Sequence, residues 1–374
     1  VLKDFEFDKE RLNIKSYLVG QLVEIDLKNN LDFIKQLYYD SYSDPQTQSA
    51  ILEGLFDTKK KENFELAMDL MERDLPLGGI GSIFYSYAKK DSLELKADLF
   101  PEILQYSTIS EYKEALYGLL ARVKDSGLVK TKDYKKYKNQ IINDGKIEVK
   151  RSLSNSGYGY YSDDLSTYVD LIFPYRNERT AKDFFDKMLN VEDTSALTRY
   201  YVLLAKNKEK IPSELKEKLL EDEENQYKLL EELDEAKLFN SIKSLNISQQ
   251  QFAKSKLLGN ADYEKEKDSL VFLMKRDFKT DKGNKDAVMY FFKIDKDDDY
   301  SGKSEVLHYI SFIKPKDGKK LVVDYYDISN SYGTTVDETK ELDEQIEDII
   351  NLAIYKDRKR VTPTSRGYNG YYDY

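Results

Sequence analysis

The sequence predicts a mostly α protein: an α-solenoid of helical hairpins followed by a small α+β domain made of a four-stranded antiparallel sheet and one helix. Three observations lead there. Short amphipathic patterns follow one another from Asp44 to Lys124, separated by Asp-Pro, Gly-Gly and Lys/Asp-rich breaks. Near Ser269 the apolar period changes from helical to alternating. The chain of 374 residues is 40% hydrophobic and 34% charged with a mean hydropathy of -0.68, which suits a thin fold with much solvated surface. The expected divisions are a helical-repeat domain over 1–260, the sheet and its covering helix over 268–357, and a flexible Tyr/Gly-rich tail over 358–374.

In chain order, Leu12, Ile14, Tyr17, Leu18, Leu22, Val23 and Ile25 place one apolar face on a helix over Glu10 to Leu27, and a second helix covers Leu31 to Tyr42. Asp44-Pro45 restarts the chain: Asp caps the next helix, and Pro occupies its first turn, where a missing N–H costs nothing. Ala50, Ile51, Leu55 and Phe56 form the stripe of that helix, and Phe64, Ala67, Leu70 and Met71 form the next. After Leu75-Pro76-Leu77-Gly78-Gly79, helices resume at Ile80 to Lys89, at Pro101 to Gln105 and at Ser110 to Lys124, the last burying Tyr112, Leu116, Leu119, Leu120 and Val123. A Lys- and Tyr-rich segment, Lys130 to Lys150, leads to a loop over Ser152 to Tyr161. Asp163-Asp164 opens the following helix, and hairpins continue through Thr180 to Leu189, Thr194 to Lys206, Ser213 to Leu220, Glu224 to Leu233 and Leu238 to Leu258.

Four runs rich in Val, Ile, Phe and Tyr then follow: Leu270 to Met274, Ala287 to Ile294, Val306 to Ile313 and Leu321 to Ile328. Their connections are too short for parallel crossovers, so they read as an antiparallel meander. Leu342, Ile346, Ile349, Ile350 and Ala353 mark a final helix whose apolar side covers the sheet.

The net charge of -10 argues against a general nucleic-acid binder, and no apolar run is long enough to span a bilayer. Cysteine is absent, which excludes disulfides and thiolate metal sites. The chain opens Val-Leu-Lys-Asp, without initiator Met or signal pattern, and so reads as a piece excised from something longer.

No catalytic constellation stands out, no metal-ligating set is assigned and no motif asks for a cofactor. His308, the single histidine, alternates with Val306, Ile310 and Phe312 and reads as a sheet position ahead of a catalytic one. Asp295, Asp297 and Asp299 match the first ligands of an EF-hand loop, but Tyr300 stands where Gly is needed and Val306 where the bidentate Glu belongs, so a hairpin turn is expected. Ser86 with Lys89, and Ser213 with Lys216, satisfy Ser-x-x-Lys without the companion motifs of Ser-Lys hydrolases. Lys130, Lys132, Lys135, Lys136 and Lys138, interleaved with Tyr134 and Tyr137, have the makings of a phosphate-gripping, base-stacking surface; the acidity of the chain favours a solvated helix face instead. Among 31 tyrosines, the clusters holding Tyr158, Tyr160 and Tyr161 and Tyr368, Tyr371 and Tyr372 are the candidate interaction surface, for protein or carbohydrate.

Asp44-Pro45 followed by small and apolar residues resembles the start of a HEAT-type helix. The helical array followed by four strands, a helix and a Tyr-rich end resembles the C-terminal part of large bacterial envelope proteins whose N-terminal domain is of the TraB/GumN type. That domain carries Gly-x-x-His motifs, whereas His308 has Glu305 three positions before it, so the resemblance implies an accessory region without the active site, in the cell envelope or periplasm. The expected function is a non-catalytic protein-interaction or scaffold segment, with a hydrolase accessory region or an envelope carbohydrate-binding module as alternatives.

Overall fold

The computed structural model describes residues 29–41, 44–57, 61–76, 103–154, 163–223, 225–260, 270–280, 285–298, 302–314, 323–324, 334–337 and 339–359. The expected helices at Glu10 to Leu27 and Ile80 to Lys89 lie outside these residues. The chain is mostly helical with a small antiparallel sheet, and it divides into two compact units, Val1–Tyr200 and Tyr201–Tyr374.

The first unit begins with α1 (29–40), α2 (Pro45–Asp57) and α3 (Lys61–Arg73). Asp44 caps α2 as its chemistry requires: the carboxylate accepts the Thr47 N–H at 3.3 Å and the Thr47 hydroxyl at 2.6 Å, with Pro45 in the first turn. Both apolar stripes are buried, and Phe56 stacks on Phe64 with ring centroids 6.1 Å apart, which joins α2 to α3. A 3-10 turn (Leu104–Thr108) leads into α4 (Ser110–Asp125), whose five expected core residues are all buried.

Next come α5 (Lys138–Ser154), α6 (Asp163–Ile172), α7 (Arg179–Met188) and α8 (Thr194–Lys206). Helix α6 packs on α4 and on α5, and α5 packs on α7. Gly145 sits at the tightest of these approaches. A Cβ there would lie 2.8 Å from Ile172 Cδ1, 3.1 Å from Phe184 and 3.2 Å from Tyr168, so only a glycine lets α6 and α7 come this close to α5.

The second unit holds α9 (Ser213–Glu221), α10 (Gln226–Glu235), α11 (Phe239–Leu245), α12 (Gln249–Asn260), the sheet and α13 (Leu342–Lys359). The segment expected to be helical over Leu238 to Leu258 holds two helices. Asn246 takes a left-handed conformation, φ 58°, which ends α11. Ser248 and Gln251 then exchange side-chain-to-backbone hydrogen bonds, a capping box that starts α12.

The three long strands are β1 (Val271–Lys279), β2 (Asp286–Asp298) and β3 (Gly302–Ile313), paired antiparallel in that order. Two-residue strands β4 (Val323–Asp324) and β5 (Thr334–Thr335) both pair with β3. Of the fourth expected run, Leu321 to Ile328, only β4 lies within the described residues.

Two helices cover this sheet on opposite faces. Met289, Phe291 and Leu307 share a core with Ile346, Ile349 and Ile350 of α13, whereas Tyr290 and Phe312 meet α12. Phe252 of α12 lies 5.6 Å from the Phe312 ring, and the Tyr290 hydroxyl bonds Gln249 Oε1 at 2.8 Å. Helices α9 to α12, read from sequence with the array, therefore belong to the unit that contains the sheet. The change of period at Ser269 marks a change of secondary structure inside one core.

Candidate functional site

The candidates named from sequence fall into three groups. The tyrosines expected to form an interaction surface, Tyr158, Tyr160, Tyr161, Tyr368, Tyr371 and Tyr372, lie outside the described residues, as do Ser86, Lys89, Asp299 and Tyr300.

A second group is held in structural roles. His308 is 2% exposed in β3, opposite Phe292 of β2, and the alternation of the strand puts it on the face that carries Phe312, toward α12. Asp295 and Asp297 pair with Glu305 and Lys303 across the β2–β3 ladder. Both positions lie in β2, which runs to Asp298, whereas the sequence placed a turn from Asp297. The Lys216 ammonium bonds the Ser244 carbonyl at 3.0 Å, which ties α9 to α11 and engages the amine of that Ser-x-x-Lys pair.

Two polar clusters that the sequence did not single out bind helices together. Asp144 of α5 accepts the Lys113 ammonium and the Tyr117 hydroxyl of α4, each at 2.9 Å, while Gln140 donates to Ser107 at 2.9 Å and to the Tyr117 oxygen at 3.2 Å. Burial first, and the Asp144 carboxylate second, push the Tyr117 phenol well above its ordinary value, so it stays a donor. Arg199 of α8 spans Asp170 of α6 at 2.7 Å and Asp125 at 2.6 Å. Burial raises the Asp170 carboxyl in spite of the guanidinium beside it. Among the described residues no group of three or more His, Asp or Glu is placed to hold a metal ion, and no helix is long and apolar enough to cross a membrane.

The third group is exposed. Lys130, Lys132, Lys135 and Lys136 stand in solvent on a turn and 3-10 segment (Lys135–Tyr137) between α4 and α5, not on the helix face expected from sequence. Tyr134, read as a possible stacking platform, is fully buried; its hydroxyl lies 3.5 Å from the Leu171 carbonyl. Tyr175, its phenol pushed up to about 12 chiefly by burial, donates to the Thr131 carbonyl at 3.3 Å. The Asp133 carboxylate accepts the Lys130 N–H at 2.8 Å, which closes the turn. Lys138 differs from its neighbours: it pairs with Glu178 at 2.6 Å.

No protein-family model matches the chain, and neither a curated protein nor a solved structure matches it.

Proposed function

We propose that this chain is a non-catalytic protein-interaction or scaffold segment built as a HEAT-like α-solenoid, part of a larger bacterial envelope protein. The observation that carries the solenoid reading is a recurring cross-link. The Tyr38 hydroxyl donates to the Asp74 carbonyl 36 residues on, at 2.6 Å. Tyr112 donates to the Pro76 carbonyl 36 residues back, at 3.0 Å, and Tyr134 reaches Leu171 over 37 residues. These spacings, with the 44 residues between Tyr175 and Thr131, are of the size of the repeats common for helical hairpins, about 34 to 47 residues. Helices that pack on those one or two places along the chain support the same reading, because a hairpin that cannot bury its own apolar face must bury it on the next.

Solenoids present long surfaces to other proteins, and the polar clusters described above join helices to one another, which fits a scaffold better than a reaction centre. In-cell crosslinking followed by purification of the native protein tests this. A stoichiometric protein partner is the expected result. Recovery of the chain alone, together with a turnover that His308→Ala abolishes without lowering stability, would replace the proposal with an enzymatic one.

A further inference from the structure

The turn between α4 and α5 is a small, rigid, cationic surface in an acidic chain. Four exposed lysines, Lys130, Lys132, Lys135 and Lys136, fall within seven residues, and none of them forms an ion pair among the described residues. Several basic side chains around them are engaged instead: Lys138 with Glu178, Lys113 with Asp144, Lys146 with Asp183, Arg199 with Asp170 and Asp125. Asp133, the one carboxylate inside the turn, is bonded to the Lys130 main chain.

The turn is also held in place. Tyr134 is buried beneath it, Tyr175 bonds the Thr131 carbonyl, and the Asp133 N–H donates to the Lys130 carbonyl at 2.9 Å. A surface ordered before it meets a ligand loses less entropy on binding. Tyr137, half-buried, adds an aromatic ring with the Lys136 ammonium 4.8 Å from its centroid, so apolar contact is offered beside the charge.

We infer that this turn docks a short acidic segment of a protein partner, its carboxylates meeting Lys130, Lys132 and Lys135 and an apolar side chain lying against Tyr137. The inference rests on the partner-binding reading above and names the surface for it. Carboxylates on a polypeptide suit the site better than a nucleic-acid backbone: four lysines on one short turn match a few carboxylates, whereas a long polyanion would also have to lie against a chain of net charge -10.

The test uses the full chain and a labelled peptide of alternating glutamate and alanine at physiological ionic strength, with fluorescence anisotropy as the readout. Replacing Lys130, Lys132 and Lys135 together by Gln is expected to weaken binding about tenfold, and Arg at the same positions to retain it. The control is Gln at Lys206, Lys208 and Lys210, three equally exposed lysines with Glu209 among them, which is expected to leave binding unchanged. All of these positions are exposed, and melting curves confirm that each variant is folded.

Equal loss in the two triple variants would reduce the effect to net charge and overturn the inference. So would absence of binding by the unaltered chain, or tighter binding of a single-stranded oligonucleotide that depends on the same lysines. If the Gln triple variant still recovers the crosslinked partner in full, the turn is excluded and the partner-binding reading survives; if no partner is crosslinked but the peptide result holds, that reading fails by itself.

Discussion

Tyrosine is the residue that most changes meaning between sequence and structure. Its abundance reads as surface chemistry, yet Tyr38, Tyr112, Tyr117, Tyr134 and Tyr201 are among the largest fully buried side chains. A phenol supplies apolar area to the core and carries a donor to a distant carbonyl, which a phenylalanine cannot do. Tyr112→Phe keeps the ring and leaves the Pro76 carbonyl without this donor, so a loss of about 1 kcal/mol is expected in urea unfolding. Asp170 gives a pH signature. Its carboxyl is raised by burial, so the folded state holds a proton that the unfolded state releases, and its contribution to stability declines as pH rises from about 4 through the raised value. Asp170→Asn removes that decline. The stability difference between the two proteins should therefore move in favour of Asn across that window; an unchanged difference would show that Arg199 fully offsets the burial.

At the level of elements, the stripes of α2, α3 and α4 were legible because each is a clean 3.6-residue pattern, with Asp44 as a cap at the start of α2. Helix α5 was not. Lysines and Asn143-Asp144-Gly145 disguise its period, and the reason for the glycine is visible only once Ile172, Phe184 and Tyr168 surround it. Gly145→Ala sets a gain in helix propensity of about 1 kcal/mol against an overpacking cost of about 1–3 kcal/mol. A net loss, seen as a lower melting temperature, is the expected outcome, and a larger loss is expected for Gly145→Val. The division of α11 from α12 was written in Ser248 and Gln251, a capping box within the mostly polar stretch Asn246 to Gln251. Strand β1 extends past Met274, where alternation seemed to stop, because of a bulge. Phe272 lies opposite Phe292 and Met274 opposite Phe291, so Leu273 is the extra residue and the two faces exchange there.

For the whole molecule, the helical class and the late sheet follow from periodicity, whereas the grouping of elements into cores does not. Helix α12 is amphipathic like its predecessors, and nothing local says that Phe252 meets Phe312, sixty residues away. The candidate tyrosine loops fall outside the described residues, and the basic turn was weighed from sequence with Tyr134 on the wrong side of the surface. Two units with their own cores predict separable stability. Phe291→Ala, which opens a cavity under α13, should cost about 3–5 kcal/mol and speed amide exchange in β1 to β3 and α13. Exchange in α4 to α7 should change little. A uniform increase along the chain would show that the two units unfold as one.

The sheet with a helix on each face also has a consequence for biosynthesis. From Ala287 to Phe292 every residue of β2 is buried, yet one of the two covers, α13, is translated after all five strands. Until residues 342–359 leave the ribosome, Met289, Phe291 and Leu307 face water on a completed hairpin, the kind of surface that chaperones engage and that nascent chains aggregate through. Strand β1 meanwhile offers an edge guarded by Lys275, Arg276 and Lys279, charges that keep a half-finished sheet from recruiting its neighbour on the same message.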